Sequence, residues 1–120
     1  MKKGRLIILD GSMSFNFGSS VSHTIKRLGA GDNLVIDISK HPYPEEGLLF
    51  AIEGVCKLLH IKGVVIWICG INRDWLERLR SCKLVPEFVP RSHLAHSLAK
   101  AIAKISSLHG GNCASAAFNH

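Results

Sequence analysis

The hydrophobic positions of the chain fall into three short apolar runs, separated by stretches with helical periodicity. The runs cover residues 5–10, 34–38 and 64–69. Each is short and rich in leucine and β-branched residues, as strands are. Their starts recur at an interval of about thirty residues, the size of a β-α-β unit. The pattern therefore predicts parallel strands joined by helices.

Two further segments are predicted to be strands, although they lie outside the spacing of about thirty residues. Apolar and polar residues alternate over 13–17, which indicates a half-buried strand forming a hairpin with 5–10. Residues 84–89 are extended in character, and Pro86 and Pro90 restrict them to a sheet edge. The run at 64–69 is continuously apolar instead, which is typical of a central parallel strand covered on both faces.

Helical spacing of apolar residues predicts four helices. The first begins after residue 20, the second runs from about 45 to 61, and the third follows the capping residue Asn72. The fourth is expected to begin at Ser92 as its N-cap. The buried stripe predicted for the second helix consists of Leu48, Ile52, Val55 and Leu59, widened by Leu49, Cys56 and Leu58.

These elements predict an α/β fold, with an N-terminal β-hairpin leading into a mostly parallel central sheet of four to five strands and about four helices. Residues 1–108 are expected to form one domain. Residues 109–120 are small, polar and aperiodic, so we interpret them as a C-terminal tail, either flexible or not native to the domain.

Composition agrees with one globular domain: the chain has 120 residues, of which 47% are hydrophobic and 20% charged. No apolar run approaches the ~20 residues of a membrane-spanning helix, and we expect a cytoplasmic domain. The formal charge of +6 comes from scattered basic residues, which favours a solvated surface over a nucleic-acid site. The four cysteines lack metal-site spacing and are expected to be reduced thiols.

The sequence contains no recognisable catalytic group, so we expect no enzyme activity and no cofactor. Glu45 and Glu46 are adjacent, and on a helix their side chains diverge by about 100°, which does not suit a paired acid and base. His93 and His96 could share a helical face, but no further metal ligand lies near them in sequence, and we expect no metal. Asp37 and Ser39 end a strand without an evident partner or base.

One segment offers an anion or nucleotide contact through backbone amides at a predicted helix start: Gly18, Ser19 and Ser20. Ordinary helix capping is the alternative, and we favour it.

Four motifs, in order along residues 4–105, resemble those of STAS domains, the module shared by SulP-family anion transporters and bacterial anti-sigma factor antagonists. They are D-G-S-M-S-F from Asp10, L-V-I-D-I-S-K-H-P-Y from Leu34, G-L-L-F-A-I-E from Gly47, and V-V-I-W-I-C-G with the following I-N-R-D-W-L-E-R-L-R-S-C-K-L-V. The opening motif and the P-Y pair are most similar to the SulP branch.

The resemblance implies a partner-binding or switch loop after the second predicted strand. Its residues are Ser39, Lys40, His41, Pro42, Tyr43, Pro44, Glu45, Glu46 and Gly47. STAS domains controlled by phosphorylation carry a hydroxyl residue before the helix glycine, whereas this chain has Pro44-Glu45-Glu46-Gly47. The glutamates would supply fixed negative charge where phosphate would add it.

The resemblance implies a non-catalytic regulatory domain of a SulP-type transporter for sulfate, bicarbonate or a similar anion, at the inner face of the membrane. Its partners would be the transmembrane part, a second STAS domain in a homodimer, or both. The alternatives are a stand-alone partner-switching protein that binds an anti-sigma factor or a kinase, a nucleotide-binding STAS module, and, least favoured, a nucleic-acid-binding protein.

Overall fold

A computed structural model describes residues 6–10 and 25–108 of the chain. The strands are β1 (Leu6–Asp10), β2 (Asn33–Asp37), β3 (Val65–Cys69) and β4 (Leu94–Ala95). The helices are α1 (Glu46–Lys62), α2 (Arg73–Ser81) and α3 (Leu98–Leu108), with a 3-10 turn at Arg91–His93. Residues 25–27 are also helical.

The strands form one sheet in the order β1-β2-β3-β4, and every described pair is parallel. In register, Leu34 lies beside Ile66 and Asp37 beside Cys69. The three apolar runs are thereby confirmed as strands, and the α/β class with a mostly parallel four-stranded sheet is confirmed. The predicted hairpin strand at 13–17 and the tail at 109–120 lie outside the described residues.

Both faces of the central strands are covered, as the continuous apolar run predicted. Along β2, Leu34 and Ile36 point to the side of α1 and α2, while Val35 points to the side of α3. Trp67 of β3 is buried on the α3 side, and its indole Nε1–H donates to Asn33 Oδ1 at 3.0 Å. A buried indole needs such a partner, so the tryptophan acts as a packing group.

Helix α1 packs its apolar stripe against the sheet. Leu48, Ile52, Val55 and Leu59 are all buried. Leu58 was expected to widen this stripe, but it is 51% exposed because it lies beside the buried face. The helix ends at Gly63, whose φ of 81° is the left-handed conformation that glycine favours.

Two predictions for the C-terminal third are wrong. Residues 84–89 form turns, because the N–H groups of Phe88 and Val89 donate locally to the Leu84 carbonyl. The fourth strand is instead Leu94–Ala95, which the sequence pattern had assigned to a helix. Helix α3 begins at Leu98, and Ser97 rather than Ser92 supplies the capping oxygen, at 3.2 Å from Lys100 N.

The free edge of β3 explains this correction. Leu94 and Ala95 pair with Ile68 and Cys69 of β3. The Ala95 carbonyl also accepts from the N–H groups of Gly70 and Ile71, just after the strand, at 3.0 and 3.4 Å. The spacing of Leu94 and Leu98 fits a helix as well as a strand followed by a helix, so helical periodicity could not separate the two.

Gly70 should be intolerant of any side chain. Its φ is 84°, and a Cβ there would lie 2.5 Å from Ser39 N. We expect Gly70→Ala to cost about 2 kcal/mol or more of unfolding free energy, measured by urea denaturation. Gly54→Ala is the matched control: nothing lies within 4 Å of its new Cβ, and in the interior of α1 it should stabilise the chain by about 0.5–1 kcal/mol. Equal effects at the two glycines would contradict this account.

Candidate functional site

The loop between β2 and α1 begins at the carboxyl end of a central strand. Ile38 N donates to the Cys69 carbonyl at 3.0 Å, which prolongs the β2–β3 ladder by one residue. Ser39 N then donates to Asp37 Oδ1 at 3.0 Å, and His41 N donates to the Ile38 carbonyl at 2.9 Å. These bonds turn the chain out of the sheet, so the loop has a defined start.

The start of α2 holds the middle of this loop. Asn72 Nδ2 donates to the Pro42 carbonyl at 2.7 Å, and the Trp75 indole Nε1–H donates to the His41 carbonyl. The same Asn72 caps α2, because its Oδ1 accepts from Trp75 N at 2.9 Å. Trp75 is fully buried, so the loop carbonyls are held against a rigid helix start.

Beyond this anchor the loop presents exposed acidic and aromatic groups. Tyr43 is 71% exposed and Phe50 is 78% exposed. Glu45 and Glu46 are exposed between them in sequence, and the only described basic partner, Arg78, is 4.0 Å from Glu46. We call Tyr43, Glu45, Glu46 and Phe50 the loop surface. Aromatic side chains are enriched at protein interfaces, and the rims of such interfaces are polar.

The nine predicted switch-loop residues, 39–47, are contiguous on the outside of the fold. Most are exposed, while His41 and Pro44 are half-buried. The His41 ring points inward: its Nε2 is buried and has no hydrogen-bond partner among the described residues. The candidate anion contact at Gly18, Ser19 and Ser20 lies outside the described residues.

Asp37 and Cys69 lie side by side in the β2–β3 register at this edge of the sheet. Burial raises the pKa of the Cys69 thiol to about 12, with a further contribution from the neighbouring Asp37 carboxylate. A raised pKa disfavours the thiolate, which is the nucleophilic form of a cysteine. The Asp37 carboxylate accepts from Ser39 N–H, which helps to turn the chain out of β2.

The two histidines that could share a helical face do not do so. His93 lies in the 3-10 turn, where its ring stacks on Trp67 with centroids 3.9 Å apart and its Nδ1 is 3.0 Å from the Ile66 carbonyl. Burial lowers the pKa of His93. His96 follows β4 and is exposed. Within the described residues, no group of three or more His, Cys, Asp or Glu side chains could hold a metal ion.

Comparisons with known proteins identify solved structures with a similar fold. No protein-family model matches the sequence, and no curated protein matches it significantly. Among solved structures, a sulfate transporter family protein from Wolinella succinogenes matches with a TM-score of 0.69 and 12% identity, over 87% of each chain. A SulP transporter STAS domain from Vibrio cholerae matches with a TM-score of 0.68 and 13% identity, over 91% of this chain and 88% of that one.

This chain has the STAS fold. A third structure, from the molecular architecture of the stressosome, a signal integration and transduction hub, matches with a TM-score of 0.66 and 20% identity, over 88% of this chain and 91% of that one. The STAS fold thus occurs in both transporter and signalling proteins among these neighbours. No helix in the described ranges is long and apolar enough to cross a membrane.

Sequence reasoning located the loop but missed what holds it. Asn72 was predicted as a helix cap, and its second contact, with Pro42, joins residues thirty positions apart. Trp75 is fully buried, and nothing in the sequence indicates its hydrogen bond to the His41 carbonyl. The available signal was a polar side-chain donor close to the end of a strand. The sequence did not indicate which group would accept its hydrogen bond.

Substitutions at Asn72 can separate its role as the cap of α2 from its role as the anchor of the loop. Asn72→Ala removes both the cap and the loop anchor, and we expect a loss of about 1–2 kcal/mol with faster amide hydrogen exchange at His41. Asn72→Asp is nearly isosteric, keeps the capping oxygen and removes the amide donor. It should keep most of the stability but still accelerate exchange in the loop. Wild-type exchange at His41 in Asn72→Asp would contradict the anchoring role.

Proposed function

We propose that this chain is the regulatory STAS domain of a SulP-type transporter for sulfate, bicarbonate or a similar anion, at the inner face of the membrane. It acts without catalysis, by binding the transmembrane part of the transporter through the loop surface. Contact with a second STAS domain is the other partner we consider. The observation that carries this proposal is the combination of the STAS fold with an anchored, exposed loop lacking a hydroxyl before the α1 glycine.

The charge of the loop surface supports a constitutive contact. Glu45 is the N-cap residue of α1 but makes no side-chain capping bond, and the Glu46 side chain is 89% exposed. The contact of Glu46 with Arg78 is long, at 4.0 Å, and leaves the carboxylate exposed, so both glutamates can reach a basic or hydrogen-bonding partner. Tyr43 and Phe50 add apolar contact area beside them.

The gene that encodes this chain tests the transporter assignment directly. We expect its reading frame to encode about ten or more apolar segments of ~20 residues before the STAS domain. A reading frame limited to these residues would rule the assignment out.

In the full-length protein, we expect the double substitution Glu45→Ser and Glu46→Ser to change the rate of anion uptake at least about threefold, because it removes both charges from the contact. The isolated domain should remain stable to within about 1 kcal/mol, since serine is itself a good N-cap. Glu77→Ser with Glu87→Ser removes the same charge from exposed positions elsewhere and serves as the control. A large loss of stability with the loop variant would show that the glutamates serve the helix alone.

A partner-switching protein is the second candidate, and two observations favour it. The stressosome structure shares 20% identity with this chain, more than either transporter structure above. Ser39 is exposed at the end of β2 and carries a hydroxyl that a kinase could reach.

Incubation with a switch kinase and labelled ATP separates the two candidates. The transporter proposal expects no incorporation of phosphate. Stoichiometric label that disappears in Ser39→Ala would support partner switching and count against the transporter role. Ser81→Ala, at the exposed end of α2, is the matched serine control.

A further inference from the structure

A second feature at the carboxyl edge of the sheet has the shape and chemistry of a ligand site. A cavity of about 380 Å³ opens between the segment after β3, helix α2 and the start of α3. Ile71, after β3, and His96, after β4, both line it. In parallel sheets, ligands bind in crevices outside the carboxyl ends of the strands. This volume is within the range of small-molecule sites.

The cavity has an apolar wall. Ile71, Leu76 and Leu94 line it, and Ala95 adds a small apolar group. None of the lining residues is Phe, Tyr or Trp, so the wall offers no large aromatic face on which a nucleotide base could stack. An aliphatic wall instead suits an alkyl chain, which gains free energy from burial alone.

The remaining lining groups are basic. Arg91, Lys100 and Lys104 join His96, and no lining residue is acidic. From residue 88 to the end of the chain the sequence contains no Asp or Glu at all. None of the ion pairs in the described part of the chain involves Arg91, Lys100 or Lys104. Their charge is therefore available to an anion.

The backbone keeps part of this charge in place. Lys104 Nζ donates to the carbonyls of Leu94 and Ser92, at 2.8 and 3.3 Å, so its ammonium group is held over β4. Helix α3 begins beside the cavity and has no acidic residue in its first turn. A helix N-terminus adds partial positive charge, which strengthens the preference for an anion.

We propose that this cavity binds an anionic amphiphile, in which a phosphate or carboxylate head lies among Arg91, Lys100 and Lys104 and an aliphatic chain lies against Ile71, Leu76 and Leu94. The site goes beyond the proposed function, since it does not use the loop surface. The same chemistry occurs in free alkyl phosphates or fatty acids and in acidic membrane lipids.

Binding to the whole chain can be followed by calorimetry and by amide NMR shifts at low ionic strength. The probes are octyl phosphate below its micelle concentration, inorganic phosphate, and octyl glucoside, which has the chain without the charge. We expect octyl phosphate to shift the amides of Leu76, His96 and Lys100, and to bind at least about tenfold more tightly than either of the other two. Inorganic phosphate binding as tightly would overturn the proposal, as would shifts confined to α1.

The double substitution Lys100→Gln and Lys104→Gln should weaken octyl phosphate binding at least about tenfold, because it removes two charge-assisted contacts. Lys26→Gln with Lys57→Gln removes the same charge from the α1 side of the sheet and should leave affinity unchanged. Equal losses of affinity in both variants would show that binding depends on net charge alone, which would contradict a specific site.

Two additional experiments identify the source of the amphiphile and test a nucleotide as the alternative ligand. Co-sedimentation with vesicles containing phosphatidic acid, lost in Lys100→Gln with Lys104→Gln, would support the site and assign a membrane lipid. Binding of monomeric octyl phosphate without co-sedimentation would support it and assign a free amphiphile. GTP or ATP displacing octyl phosphate with equal affinity would overturn the aliphatic assignment. These results do not depend on the uptake experiment, so the two proposals can fail separately.

Discussion

The parallel ladder between β2 and β3 is the interaction on which the rest of the structure depends. Both strands are buried on both faces, so each must be covered by helices on two sides. Its buried side chains are aliphatic, apart from Cys69, Asn33 and Trp67, and the Trp67 indole donates to Asn33. Because the strands are parallel, every connection must cross over the sheet, and the loops leaving the carboxyl ends meet at one edge.

That edge carries both candidate surfaces. Gly70, just after β3, approaches Ser39, just after β2, so closely that a Cβ would collide with it. The β3–α2 connection therefore supports the loop on one side, and through Asn72 and Trp75 it also bonds to the loop carbonyls. On its other side the same connection bonds to Ala95 of β4. The loop is thus positioned by tertiary contacts rather than by its own prolines alone.

The two ends of this edge differ in charge. The loop surface beside β2 presents Glu45 and Glu46, whereas the cavity beside β4 is lined by Lys100 and Lys104 without an acidic residue. A sheet edge with one acidic and one basic region can contact two partners of opposite charge without competition between them. The exposed Phe50 extends only the acidic region, which suits that region to a protein partner.

The sequence by itself determined the strands and helices whose local sequence pattern agrees with their tertiary contacts. The apolar runs were correctly predicted as strands, α1 to within about one residue, and Asn72 as a helix cap, because periodicity and capping are local properties. The resemblance to STAS domains, read from motifs, led to the correct fold. The predicted loop residues are contiguous and mostly exposed, although their role stays a prediction.

Only the tertiary structure decided the rest. Residues 84–89 have an extended composition but form hydrogen bonds locally. Leu94–Ala95 has a helical spacing but pairs with β3, and its Ala95 carbonyl accepts from the N–H groups just after that strand. The anchoring of the loop by Trp75 and the convergence of Ile71 with Lys104 join residues that are far apart in sequence. Such contacts depend on how the helices cross the sheet, which short-range patterns do not encode.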